Sequence, residues 1–209
     1  MTEIRAVLFD FDGVIRHFDA GFVPELESTY GLAPGTIAST AFAQPLITEL
    51  TTGAIPRREW LRRIGETIGS YEAAAVWGSQ PTHADQDVLA LADQLRASGL
   101  LTAVLTNGTD EVRAEAEELG VVEHFDAFFN TAEIGWIKPD RRAFQHVLDE
   151  LSLTGPEVFF TDDSLGKLSG AAELGMTVHH YTSVVSLCTA LNPLVPCVLE
   201  NAESSQHPM

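Results

Sequence analysis

The sequence predicts an α/β protein in which a parallel β-sheet carries helices on both faces, with a helical segment inserted near the amino terminus. Two observations predict the sheet: short apolar runs alternate with segments of helical spacing, and polar residues follow the runs directly. A third observation, the break in this alternation over residues 15–81, predicts the insertion. We therefore expect a core formed by residues 1–14 and 82–191, a helical cap over 15–81, and a flexible tail over 192–209.

Five apolar or β-branched runs predict the strands of this sheet. They cover residues 4–9, 100–105, 126–131, 157–160 and 176–181, and the last of them is the weakest. The first run, IRAVLF, stops abruptly at Asp10, which is typical of a buried strand that ends in a polar loop. The runs ending before Asn107 and Asp162 have the same form.

Three segments between these runs have the spacing of amphipathic helices. Their apolar positions are Val88, Leu91, Ala92 and Leu95, then Val112, Ala116 and Leu119, then Phe144, Val147, Leu148 and Leu151. Because strands and helices alternate, the strands should be parallel, and ligands should then bind at the carboxyl ends of the strands.

The inserted segment contains a helix with one apolar side. In PRREWLRRIGETIG, Trp60, Leu61, Ile64 and Ile68 share that side, and Pro56 occupies a position that a first helical turn tolerates. The tail from residue 192 has Pro, Asn and Ser clusters and no periodicity, so we expect it to be loose.

Composition and charge exclude several classes of partner. With 30 Asp and Glu against 12 Lys and Arg, the formal net charge is -18, which should repel nucleic acids and anionic membranes. No apolar run approaches the roughly 18 residues that span a bilayer, and the start of the chain is unlike a secretory signal. We therefore expect a cytoplasmic protein with no membrane or nucleic-acid partner. Cys188 and Cys197 lack metal-ligand spacing and should be inert reduced thiols.

Four aspartates follow two of the predicted strands. Asp10 and Asp12 come after the first run, and Asp162 and Asp163 after the fourth. Carboxylates so close together repel one another unless one is protonated or a cation lies between them. An oxygen-only set of ligands suits Mg²⁺ better than zinc or copper. The alternative is that these residues only cap turns and helix starts.

Two further polar positions belong to the same edge of the sheet. Thr106 and Asn107 follow the second predicted strand and precede a helix, so their hydroxyl and N–H groups could face an anion. The alternative is an ordinary helix cap. Lys138, flanked by Ile137 and Pro139, could reach the acidic cluster and neutralise it. The alternative is a solvated lysine at the protein surface, which is the usual place for this residue type.

In this order along the chain, these residues resemble the motifs of the haloacid dehalogenase superfamily. Motif one is similar to DFDGV at 10–14, motif two to LTN at 105–107, motif three to GWIKPD at 135–140, and motif four to residues 159–176. The resemblance implies a three-layer, Rossmann-like core with a small α-helical cap inserted after motif one. Gly53 resembles a cap loop that faces the site, although it could equally be a turn glycine.

The resemblance also implies a role for each matching residue. Asp10 would attack phosphorus, and Asp12 would act first as general acid and then as general base. Mg²⁺ would be held by Asp10, the Asp12 backbone carbonyl and Asp163, with Asp162 an outer or water-mediated partner. Phosphoryl oxygens would be bound by Thr106 and the Asn107 amide, and Lys138 would stabilise the charge on Asp10 and on the phosphoryl group.

Asp12 favours one reaction of the superfamily over another. Members that displace halide lack an acid at this position, because a halide leaves without a proton, whereas an alkoxide needs one. We therefore expect hydrolysis of a small phosphorylated metabolite rather than dehalogenation. The alternatives are a phosphosugar mutase, a 2-haloacid dehalogenase of the same superfamily, and a weakened relative that binds a ligand or protein without turnover. The oligomeric state is not predicted.

Lys167 departs from the superfamily pattern. It occupies a position, four residues after Asp163, where Asn or Asp usually supports the metal loop. A cation there would compete with Mg²⁺ or turn outward, and it is the only sequence feature that favours a weakened, non-catalytic relative.

Overall fold

A parallel five-stranded sheet forms the centre of the protein. The computed structural model describes residues 3–195, and within them the strand order is β5-β4-β1-β6-β7 with every neighbouring pair parallel. The strands are β1 (Ala6–Phe9), β4 (Leu101–Thr106), β5 (Ala127–Asn130), β6 (Val158–Asp162) and β7 (Thr177–His180). All five predicted runs form strands, and the predicted α/β class is confirmed.

Helices cover both faces of this sheet, because successive side chains of a strand point to opposite sides. On β1, Val7 and Phe9 belong to one apolar cluster, and Ala6 and Leu8 belong to another. The core helices are α6 (Gln86–Ala97), α7 (Val112–Glu118), α8 (Thr131–Ile134), α9 (Arg141–Leu151), α10 (Ser169–Glu173) and α11 (Val184–Leu191), with 3-10 turns at Val122–His124, Gly155–Glu157 and Leu165–Lys167. The first cluster takes in α6, α7 and α11, and the second takes in α9 and α10.

Five helices that lie between β1 and β4 along the chain pack together as a separate unit. They are α1 (Phe22–Thr29), α2 (Thr36–Ala41), α3 (Leu46–Thr51), α4 (Arg57–Ile68) and α5 (Tyr71–Gly78). Their buried cluster includes Leu26, Ile37, Ile64 and two tryptophans, Trp60 and Trp77, whose ring centroids lie 5.1 Å apart. A cluster of their own favours the interpretation of these helices as a cap on the core.

A short antiparallel ribbon lies where the chain leaves and re-enters the core. It pairs β2 (Arg16–Phe18) with β3 (Thr82–Ala84). Three-residue strands carry too little apolar periodicity to be recognised in a sequence, and the sequence did not predict this ribbon.

The cap also contacts the core directly at the end of α3. The Thr131 hydroxyl donates to the Thr51 carbonyl oxygen over 2.8 Å. Gly53 has a φ of +75°, and a Cβ atom there would lie 2.1 Å from the Ala132 carbonyl oxygen. Only glycine allows the backbone after α3 to come so close to the Ala132 carbonyl oxygen. Gly53 is therefore the point at which the end of α3 contacts α8.

The chain end lies partly outside the described residues. Cys197 and most of the tail predicted to be flexible fall in this part. Cys188, on α11, is half-buried, and burial raises the pKa of its thiol, as expected for an inert cysteine. Within residues 3–195 we find no helix with the length and apolarity that crossing a bilayer requires.

Candidate active site

The carboxyl ends of β1, β4 and β6 bring the predicted polar residues together. Phe9, the last residue of β1, is paired with Val104 of β4 and with Thr161 of β6, so the three strands end at one edge. Asp10, Asp12, Thr106, Asn107 and Asp163 all line a single cleft at this edge, which is where parallel sheets place their ligands.

Lys138 lies at the centre of the acidic cluster. Its Nζ atom donates to Asp10 Oδ1 and to Asp162 Oδ2, each over 2.7 Å. Lys138 is 1% exposed and Asp162 is fully buried. A buried cation between two buried carboxylates leaves the three groups with one excess negative charge. The alternative of a solvated surface lysine is therefore wrong.

Asp10 is held by one of its two carboxylate oxygens. Oδ1 accepts from Lys138 and also from the Phe11 backbone N–H, over 2.7 Å. None of the hydrogen bonds among the described residues goes to Oδ2. This side chain is thus fixed in orientation while one oxygen stays available to a ligand or a substrate.

Burial dominates the ionisation of the cluster. It raises the pKa of Asp10 to about 6; Lys138 opposes the rise, and Asp162 adds to it. Burial alone would lower the pKa of Lys138, but the charges of Asp10 and Asp162 outweigh it and raise that pKa. The pKa of Asp163 is also raised, first by burial and then by Asp162. A further cation would therefore be attracted to this site.

The carboxylates fit a hard divalent cation. One oxygen from each of Asp10, Asp162 and Asp163 can be chosen so that all three lie within 4.8 Å of one another. Such an all-oxygen set suits Mg²⁺ with retained waters. Both oxygens of Asp162 already accept hydrogen bonds, one from Lys138 and one from the Ser164 N–H at 2.9 Å, which favours the outer position expected for this residue.

Gly13 allows Asp163 to approach the loop after β1. Its φ is +86°, and a Cβ atom at this position would lie 2.2 Å from Asp163 Oδ2. The absence of a side chain thus brings the two aspartate loops together.

The Asn107 side chain positions a neighbouring segment of the site. Its side chain pairs with the backbone of Lys138: Nδ2 donates to the carbonyl oxygen over 3.0 Å, and Oδ1 accepts from the N–H over 2.9 Å. Both polar atoms of the side chain are thus engaged in placing Lys138, and binding of a phosphoryl oxygen by the Asn107 N–H stays a prediction.

Thr106 and Asn107 do not cap the following helix. Helix α7 begins only at Val112, with Glu111 as its amino-terminal cap residue. The helix-cap alternative is therefore wrong, and Thr106, 1% exposed at the end of β4, lines the cleft instead.

Asp12 is held by a residue that sequence reasoning missed. Arg16 donates through Nε to Asp12 Oδ1 over 2.6 Å and through a terminal nitrogen to Oδ2 over 3.0 Å. Its other terminal nitrogen donates to Glu115 over 2.6 Å. Arg16 is only 7% exposed. The available signal was an arginine four residues after Asp12 in a chain with few basic residues.

Two more side chains bear on the loop after β6. The His180 ring lies 2.9 Å from the Asp163 carbonyl oxygen, a contact that the sequence did not suggest. Lys167 lines the cleft rather than turning outward. Burial, and next the charge of Lys138, lower its pKa. Of the two orientations expected for Lys167, the structure shows the one near the acidic cluster.

Comparison with known proteins gives the same family as the resemblance of the sequence motifs. The model of the haloacid dehalogenase-like hydrolases matches residues 4–175. A sesquiterpene phosphatase of Aspergillus oryzae, astK, is 27% identical over 94% of this chain and 99% of its own. An (S)-2-haloacid dehalogenase of a Pseudomonas species is 32% identical over 43% of this chain and 40% of its own.

A solved structure shares the fold. A haloacid dehalogenase family enzyme from Bacteroides thetaiotaomicron, crystallised with magnesium and inorganic phosphate, superimposes with a TM-score of 0.72 at 23% identity, covering 86% of this chain and 94% of that one. The family model spans most of the chain, including every residue of the acidic cluster. The protein belongs to the haloacid dehalogenase-like hydrolases.

Proposed function

We propose that this hydrolase is a Mg²⁺-dependent phosphatase that cleaves a small phosphate monoester through a phosphorylated Asp10. The observation that carries the proposal is the state of Asp10: Lys138 and the Phe11 N–H fix one of its oxygens, and the other accepts no hydrogen bond from the described residues. A fixed carboxylate with one unengaged oxygen has the geometry of a nucleophile.

The carboxylates support the assignment of the cofactor. Mg²⁺ would be held by Asp10, Asp163 and the Asp12 backbone carbonyl, with Asp162 in the outer position. When bound, the ion neutralises charge on the phosphoryl oxygens. The Bacteroides enzyme of the same fold was crystallised with magnesium and phosphate, which agrees with this donor set.

The chemistry of this chain proceeds in two displacements. Asp10 attacks phosphorus, the bond to the leaving oxygen breaks, and Asp12 gives that oxygen a proton. A water molecule then gives a proton to Asp12 and displaces phosphate from Asp10. Lys138 stabilises the negative charge on Asp10, and Thr106 binds a phosphoryl oxygen.

Asp12 is the reason to prefer a phosphatase to a dehalogenase. Its carboxylate lines the cleft and is 41% exposed. Arg16 donates to both of its oxygens, so one of these hydrogen bonds must open when Asp12 carries the proton. A proton donor at this place serves an alkoxide and has no purpose for a halide. The match to the Aspergillus phosphatase covers nearly the full length of both chains, whereas the match to the dehalogenase covers less than half of either chain.

The test is phosphate release from 4-nitrophenyl phosphate with Mg²⁺ or with a chelator, together with halide release from 2-chloropropionate. We expect Mg²⁺-dependent phosphate release by the wild type, a loss of about a thousandfold or more in Asp10→Asn, and no halide. Equal activity of Asp10→Asn and wild type, or release of halide alone, would contradict the proposal.

A further inference from the structure

The cleft has two chemically different parts. Its volume is about 1190 Å³, somewhat above the range of about 300–1,000 Å³ that is usual for small-molecule sites. The core contributes residues of the acidic cluster to its lining. The inserted helical segment contributes apolar side chains, which are Val23, Phe42, Ile47, Leu50, Trp60 and Trp77, and uncharged polar ones, which include Gln44, Thr48, Ser79 and Gln80.

Two aromatic side chains that line the cleft, Phe42 and Phe18, are exposed in a way that packing of the protein does not explain. Phe42 is 57% exposed although its ring packs edge-on against Trp77, with centroids 6.3 Å apart. Phe18, at the junction with the core, is 39% exposed and lines the same cleft. Exposed aromatic side chains grouped around a cavity are typical of a surface that receives an apolar ligand.

The two arginines of the cleft are already neutralised. Arg16 is paired with Asp12 and Glu115. Arg57 lies 3.1 Å from Glu111 and 3.5 Å from Glu115, and it also donates to the Gly78 carbonyl oxygen. Glu118 lines this wall as well. A leaving group with a second phosphate or a carboxylate would therefore meet carboxylates without a free arginine among the described lining residues. Lys167, the other cation of the lining, lies near the acidic cluster.

We propose that the substrate is the phosphate monoester of an uncharged, predominantly aliphatic alcohol, whose chain lies against the cap wall formed by Phe42, Ile47 and Trp77. The inference rests on the proposed phosphatase function for the position of the phosphate. The cap wall supplies apolar contact for the alcohol, and the paired arginines make the cleft unfavourable for anionic leaving groups. Leaving groups that carry a second phosphate or a carboxylate are therefore disfavoured.

The test is a series of n-alkyl phosphates from ethyl to hexyl, below their aggregation limits, with ribose 5-phosphate as polar competitor. We expect kcat/KM to rise about threefold to fourfold for each buried methylene, and hexyl phosphate to exceed ribose 5-phosphate. Phe42→Ser should reduce the hexyl-to-ethyl ratio at least threefold. Val76→Ser, which changes an apolar residue of the cap that is 38% exposed outside the cleft, should keep that ratio.

A binding measurement separates this inference from the proposed function. Hexylphosphonate and methylphosphonate are titrated calorimetrically into the protein with Mg²⁺. Tighter binding of the hexyl compound, reduced by Phe42→Ser, supports the apolar site even if no ester is hydrolysed, in which case only the phosphatase proposal fails. Phosphate release without any dependence on chain length, or a preference for ribose 5-phosphate, overturns the inference and leaves the phosphatase standing.

Discussion

At the scale of single residues, Lys138 is a buried cation that depends on two carboxylate partners. Its Nζ atom lies between Asp10 and Asp162, all three side chains being buried or nearly so. Replacing it with methionine would leave two buried carboxylates without their partner. We expect Lys138→Met to lower the free energy of unfolding of the metal-free protein by about 3–5 kcal/mol, and Mg²⁺ to restore part of the loss.

Lys167→Met is the matched control for this prediction. Lys167 lines the same cleft, but no carboxylate lies within ion-pair distance of it among the described residues. Denaturant unfolding of both variants with and without Mg²⁺ makes the comparison. A loss of equal size in the two variants would show that the buried pairing of Lys138 is not what stabilises the site.

Lys167 itself allows a prediction about metal binding. Since it lies near the acidic cluster, its charge opposes a bound cation. We expect Lys167→Asn to maintain or raise the affinity for Mg²⁺, by up to about tenfold if one charge interaction of roughly 1.4 kcal/mol is removed. Calorimetric titration of Mg²⁺ measures it, and a clear fall in affinity would show that Lys167 takes a positive part in the site.

The role of Asp12 can be separated from general damage to the site by the choice of leaving group. Asp12→Asn should lower kcat/KM for an alkyl phosphate by about a hundredfold to ten-thousandfold. The loss for 4-nitrophenyl phosphate should be much smaller, since 4-nitrophenolate leaves without a proton. Arg16→Met frees the Asp12 side chain. It should also lower kcat/KM more for the alkyl phosphate than for 4-nitrophenyl phosphate, but both losses should be smaller than in Asp12→Asn. Equal losses for both esters would contradict proton donation by Asp12.

At the scale of secondary-structure elements, the contact between α3 and α8 connects the cap to the core. Gly53→Ala would place a methyl group against the Ala132 carbonyl oxygen. Gly69→Ala is the control, because Gly69 has the same φ of +75° with nothing within 4 Å of its Cβ position. We expect both to be destabilising, by about 1 kcal/mol for Gly69→Ala and by more for Gly53→Ala. Thermal unfolding measures the stability of both variants. Equal losses of stability would show that the contact between α3 and α8 does not stabilise the protein.

Elements and site residues differ in how far a sequence predicts them. The strands followed from apolar runs ending in Asp or Asn, and burial of Val88 and Val147 followed from helical spacing. Asp10, Lys138 and Asp163 followed from their order along the chain.

The partners of Asn107 and Asp12 did not follow. They depend on where a backbone segment 31 residues away and an arginine of the β2–β3 ribbon are placed by the tertiary fold. Residue spacing along the chain carries no information about the first of these contacts, and for the second it offers only the four-residue separation of Asp12 and Arg16.

At the scale of the whole molecule, the buried acid gives the metal-free protein a distinctive pH dependence. Burial raises the pKa of Asp10 from 3.8 to about 6, so the folded state keeps this proton at a pH where the unfolded chain has lost it. Stability from this group is complete below about pH 4 and is lost as the pH rises to about 6, at a slope of at most about 1.4 kcal/mol per pH unit.

Comparison with Asp10→Asn isolates that contribution. Denaturant unfolding in the presence of a chelator, between pH 4 and pH 7, should show the wild type losing stability relative to the variant as the pH rises. A difference that stays constant, or that changes in the opposite direction, would mean that Asp10 is not a buried acid with a raised pKa.

The proposed hydrolysis requires that Asp10 becomes phosphorylated during turnover. Wild-type protein with Mg²⁺ is mixed with a labelled phosphate monoester, quenched in acid within the first turnovers, and digested for mass spectrometry. We predict a phosphoryl group on the peptide that carries Asp10, removable by hydroxylamine and absent from Asp10→Asn. Label on another residue, or normal phosphate release by Asp10→Asn, would contradict the account.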